Sequence, residues 1–200
     1  SLKRYSAMPA RVGGVPAMVA RTGYTGEDGF EIFVREGAPE LWRMLLEQGQ
    51  GSGLVPAGLA CRDSLRLEAG MPLYGNELSK DRTPFEAGLG RVVRLDKPCG
   101  FVGRAALAAR RDHPVSEVLV GLAGEGRRAP RAGHLVLTDG AKRAGVVTSG
   151  LPSPTLGYSI PMAYVDVEVS VPGTCLVADV RGQRQPVTVV ELPFYRRPRG

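Results

Sequence analysis

The 200-residue chain is 43% hydrophobic and 23% charged, a balance ordinary for a globular protein, and it has no apolar run long enough to span a bilayer. Its net charge of +6 favours anionic partners, but the arginines are spread over Arg110-Arg111, Arg127-Arg128, Arg131, Arg181, Arg184, Arg196, Arg197 and Arg199. No RRM, KH or zinc-finger pattern accompanies them, so neither nucleic acid nor a membrane is an expected partner.

Cys61, Cys99 and Cys175 are far apart, form no C-x-x-C pair and have only His113 and His134 for company. That spacing argues against a metal site and a disulfide framework, and three reduced thiols suit a cytoplasmic protein. The chain opens Ser1-Leu2-Lys3-Arg4, with no Met and no signal-peptide pattern, as a fragment would.

In chain order, a basic start leads into a first strand ending at Ala17-Met18-Val19-Ala20, and a second strand follows at Phe30-Glu31-Ile32-Phe33-Val34. The turn between them, Arg21 to Gly29, holds three glycines able to take positive φ, one tyrosine and the carboxylates Glu27 and Asp28. A turn needed only to reverse the chain requires no ring and no acids, so this stretch is a candidate binding loop. A helix is expected over 38–48, with Trp42 packed in the core beside Leu41, Leu45 and Leu46.

A second helix is expected over Pro56 to Ala69, closed by Gly70, with Ala57, Cys61 and Leu65 buried. On it, Asp63 pairs with Arg66 at i,i+3, which leaves Arg62 to find a partner elsewhere in the fold. Residues 71–79 read as irregular, Thr83-Pro84-Phe85-Glu86 as a helix cap, Val92 to Leu95 as a short strand, and 104–111 as a helix. Past Asp112-His113-Pro114 strands dominate, at 117–122, 134–138, 143–148, 160–166, 173–180 and 186–192, with hairpin turns at Asp139-Gly140 and Arg181-Gly182. Short strands with a turn every ten or so residues predict a small antiparallel barrel.

Glu31 can accept two parallel hydrogen bonds from adjacent N–H donors. Strand alternation sets it opposite Phe30 and Ile32, so it faces either solvent or a polar pocket. Tyr24 either stacks on a ligand ring or fills the turn, and the adjacent Glu27 and Asp28 read as structural. No nucleophile–base–orienter set is present, and Gly23-x-x-Gly26-x-x-Gly29 is neither a P-loop nor a dinucleotide fingerprint.

Arg-Thr-Gly-Tyr-Thr-Gly-Glu-Asp-Gly-Phe-Glu, from Arg21 to Glu31, resembles the signature of the glycine cleavage system T protein, a tetrahydrofolate-dependent aminomethyltransferase. Further segments resemble the same family in family order: Ala60 to Gly70, Leu73 to Leu78, Thr148-Ser149-Gly150 with Ser153-Pro154, and Leu192-Pro193-Phe194-Tyr195. The resemblance implies an α+β fold: the end of the folate-binding domain over 1–112, then a small antiparallel β-barrel domain over 113–200. It also implies that Tyr24, Glu31, Arg62 and Arg197 contact tetrahydrofolate, which receives the methylene unit from the aminomethyl-lipoyl H protein with release of ammonia.

The aspartate of the family mechanism has no matching segment here, so no catalytic residue is expected in this chain, which looks like the later portion of the protein. A pocket wall left outside the chain would expose apolar surface. The iron–sulfur assembly relatives of the same fold are folate-binding accessory proteins, but they carry a cysteine where this turn has none. A second alternative is the folate-dependent tail of a sarcosine or dimethylglycine dehydrogenase.

Overall fold

The computed structural model describes residues 2–126 and 128–197; Ser1, Arg127 and Arg199, singled out above, lie outside the described residues. Packing divides the chain into two compact units, one running to Arg66 and including Arg197, the other Leu67–Arg196.

The first unit is built on an antiparallel sheet in the order β1 (Ala7–Val12), β2 (Val15–Ala20), β3 (Glu31–Phe33). Strand β1 is additional to the elements expected from sequence. It pairs with β2 through the two-residue turn Gly13-Gly14, whose φ values of 55° and 81° suit glycine and bring Val12 opposite Val15. β2 and β3 pair in the register Ala20↔Glu31, Val19↔Ile32, Met18↔Phe33, so the expected strand–turn–strand is present.

Helix α1 (Ala38–Gly49) lies where the periodicity placed it. Trp42, expected in the core, is instead 54% exposed. Leu41 is buried and Met44 and Leu45 half-buried; at 100° per residue their stripe leaves Trp42 on the next face.

Helix α2 (Leu59–Glu68) starts a turn later than expected. Its first bond is Arg62 N–H to the Gly58 carbonyl, so Pro56 and Ala57 stay outside it. The expected stripe is also displaced: Ala57 and Cys61 are exposed, and burial falls on Arg66, Leu67 and Glu68. Gly70 closes the helix at φ 65°.

In the second unit, Thr83 and Glu86 cap each other reciprocally, with Thr83 N–H donating to Glu86 at 2.6 Å, but they cap a single turn and no full helix. The strand expected at Val92 to Leu95 is absent. The N–H groups of Val92 and Val93 are spent on Leu89 and Gly90 carbonyls in a 3-10 turn, leaving no ladder to join. Helix α3 spans Arg104–Arg111 as expected.

All six later strands form, as β4 (Glu117–Gly124), β5 (Leu135–Leu137), β6 (Arg143–Pro152), β7 (Ser159–Asp166), β8 (Cys175–Val180) and β9 (Gln183–Val190). They close an antiparallel barrel in the order β4-β7-β6-β5-β8-β9. The β8–β9 hairpin turns on Arg181 and Gly182, at φ 57° and 82°.

Alternation in β7 explains why nearly all of it is buried. Ala163 and Val165 point into the barrel among Val120, Leu122, Val147 and Val189. Ile160 and Met162 point outward onto a second cluster with Leu67 and Leu151. Gly150 is confined by close approach: a Cβ there would overlap the Pro130 carbonyl oxygen.

Candidate functional site

The ten residues between β2 and β3 form the candidate site, and one ion pair closes them. Arg21, the first residue after β2, donates from Nε and Nη2 to the two carboxylate oxygens of Asp28 at 2.9 and 2.6 Å. Arg4 adds its charge 3.7 Å from the same carboxylate. The Arg21 hydrogen bonds hold the Asp28 carboxyl below its usual range and raise the guanidinium in turn. Asp28 therefore closes the turn. Of the three glycines, only Gly26 takes positive φ, at 75°.

Tyr24 and Arg62 are brought together. The Arg62 guanidinium lies over the Tyr24 ring, 4.5 Å from its centroid. Arg62, which finds no partner on its own helix, finds this one on the turn. Its neighbour Arg66 is 1% exposed, and donates to Asp63 at 2.7 Å as the i,i+3 spacing predicts.

Glu31 is exposed at the start of β3 and accepts a hydrogen bond from the Thr22 hydroxyl. Arg197 reaches the same turn, where Nη1 donates to Glu27 Oε2 at 2.8 Å. Each of the four residues singled out thus meets this turn or one of its side chains. Sequence reasoning passed over Thr22 and treated Glu27 as structural; local spacing gives no hint of a partner 170 positions away.

In the second unit a different set of contacts ties the irregular segment 71–79 to the barrel. Asn76 donates to Ser149 Oγ at 3.0 Å, and the Tyr164 hydroxyl donates to the Glu77 carbonyl at 2.8 Å. Of the loop arginines, Arg128 donates to Gln183 at 2.6 Å and Arg131 to the Gly150 carbonyl at 3.0 Å. Cys61, Cys99 and Cys175 are exposed. Among the described residues no group of three His, Cys, Asp or Glu side chains could hold a metal ion, and no helix is long and apolar enough to cross a membrane.

Comparison with known proteins gives this arrangement its context. Residues 1–97 match the family model of the GCVT N-terminal domain, and residues 118–196 match the glycine cleavage T-protein C-terminal barrel domain. The chain belongs to the glycine cleavage T-protein family. It is 59% identical over 198 residues to a Saccharopolyspora erythraea protein named aminomethyltransferase, covering 98% of this chain and 54% of that one. A Rubrobacter xylanophilus protein of the same name is 50% identical over 200 residues, covering 100% of this chain and 52% of the relative.

Among solved structures, the glycine cleavage system aminomethyltransferase T from Bartonella henselae superposes with a TM-score of 0.82 at 39% identity. That superposition covers 90% of this chain and 50% of the other. The chain therefore spans about half the length of the family members it matches, and the barrel β4–β9 lies within the residues matched to the family's C-terminal barrel.

Proposed function

We propose that this chain is the folate-facing and barrel portion of an aminomethyltransferase of the glycine cleavage system. In this reading tetrahydrofolate accepts the methylene unit of the aminomethyl group carried on the lipoyl arm of an H protein, and ammonia is released. Residues 1–112 belong to the folate-binding domain and 113–200 to the C-terminal barrel domain; the family matches to 1–97 and 118–196 favour this division. The protein works in the cytoplasm, where exposed thiols such as Cys61, Cys99 and Cys175 stay reduced.

The observation that carries the reading is the gathering of a ring, a guanidinium and a carboxylate on one turn. Glu31 presents an acceptor pair suited to the adjacent ring N–H and amino donors of a reduced pterin. Tyr24 and Arg62 offer a flat, cationic stack beside it. Arg197 supplies guanidinium donors suited to a carboxylate of the folate tail. No residue of the chain is assigned the catalytic proton transfer.

Calorimetric titration of the chain with tetrahydrofolate tests the proposal. The wild type is expected to bind, and the Glu31→Ala, Arg62→Ala double variant to bind at least ~100-fold more weakly, since two charge-assisted contacts are removed. Equal binding by the two proteins would overturn the assignment.

A further inference from the structure

We infer that Thr22 and Glu27 are positioning residues, through which the β2–β3 turn holds two of the groups proposed to meet the folate. The inference rests on the folate reading above and deepens it. Three long-range or cross-strand contacts converge on this one turn: the Thr22 hydroxyl to Glu31, Tyr24 beneath Arg62, and Glu27 to Arg197. The turn is itself clamped from both ends by Arg21 and Asp28, and Arg21 Nη1 also donates to the Leu2 carbonyl at 2.8 Å. A clamped turn is a rigid base from which to aim side chains on flexible stems.

The bonding capacities fit that task. A carboxylate has about four acceptor positions. The Thr22 hydroxyl takes one of the two at Oε2 of Glu31, fixing the carboxylate while leaving each oxygen a position for one of two adjacent ligand donors. A guanidinium has about five N–H donors. Glu27 engages Nη1 of Arg197 and leaves the remaining donors for an anion. Arg196, its neighbour in the chain, has no ion pair or side-chain hydrogen bond among the described residues, so of the two arginines it is Arg197 that Glu27 engages.

The sign of one substitution separates positioning from simple charge. Glu27 is negative, so if it did no more than add charge near the site, its loss would tighten binding of a folate anion. If it aims Arg197, its loss weakens binding although the local charge becomes more favourable.

The experiment is calorimetric titration of the chain with tetrahydrofolate for the wild type, Thr22→Val, Glu27→Gln, Glu27→Asp, Glu31→Ala, Arg197→Ala and the Glu27→Gln, Arg197→Ala pair. Far-ultraviolet circular dichroism checks that each variant is folded. Thr22→Val and Glu27→Gln are expected to weaken binding about tenfold each. Glu27→Asp is expected to recover part of the loss, and the pair to bind no more weakly than Arg197→Ala alone.

Glu27→Gln and Thr22→Val binding as tightly as wild type or tighter, while Arg197→Ala and Glu31→Ala bind weakly, overturns the positioning role and leaves the folate site standing. A wild-type chain that does not bind, or Arg197→Ala and Glu31→Ala variants that bind normally, removes the folate reading and this inference with it.

Discussion

Tyr164 shows how much one side chain's surroundings alter its chemistry. Its phenol is pushed up to about 12, chiefly by burial, which outweighs the opposing pull of the Arg82 guanidinium 4.1 Å from the ring centroid. A phenol whose pKa is raised in the fold stabilises the protein below its ordinary value near 10, and that contribution is lost as the pH rises from there toward 12. Tyrosinate absorbance is expected to show one late step near pH 12 that Tyr164→Phe abolishes; a titration without that step contradicts the assignment. The same substitution removes the hydrogen bond to the Glu77 carbonyl and is expected to lower stability by about 1 kcal/mol in urea unfolding. Carboxylates follow the opposite sign. Asp28 lies below its usual range because of Arg21, so its contribution is present at neutral pH and disappears as acid brings it through its lowered value.

Among the elements, the end of α2 depends on Glu68, which is 2% exposed. Its carboxylate accepts from the Ser153 hydroxyl, from the Thr155 N–H at 3.1 Å and from the Thr155 hydroxyl at 2.8 Å. Its own carbonyl accepts from Tyr195 N–H at 2.8 Å. Glu68→Ala is expected to cost about 3 kcal/mol, because several donors lose their acceptor at once, with a lower urea midpoint as the measurement. An unchanged midpoint would show that the loop finds other partners. This anchor is not legible in the sequence, since Glu68 and Ser153 are 85 positions apart and only the fold joins them. The barrel strands were legible because their alternation and turn residues are local signals. The Gly13-Gly14 turn between Val12 and Val15 was a local signal as well, and the β1–β2 hairpin could have been read from it. Val92 to Leu95 misled through β propensity alone, since a strand needs a neighbour as well as valines. At the site, Tyr24, Glu31 and Arg62 were singled out by the segments that carry the family resemblance, Arg62 also by its missing helix partner, whereas the Glu27–Arg197 pair depends on long-range folding.

For the molecule as a whole, the two units manage their apolar surface differently. In the barrel unit the apolar side chains of the two core clusters are covered, Leu122, Ile160 and Met162 being fully buried. In the first unit, cross-strand neighbours Pro9, Met18 and Phe33 share one sheet face, and Met18 and Phe33 are 42% and 57% exposed. Such a face favours association of the isolated chain at high concentration. Sedimentation velocity is expected to show concentration-dependent association that a Met18→Ser, Phe33→Ser variant reduces; a wild type that stays monomeric would argue against it. The closure of the barrel also has a consequence for biosynthesis. The first barrel strand, β4, pairs on one side with the last, β9, and Gly121 meets Val190. A ribosome making this chain must therefore release nearly all of the barrel sequence before the final seam can form. Until then β4 waits with one edge unpaired, and nascent chains are most exposed to chaperones and to wrong pairing in that interval.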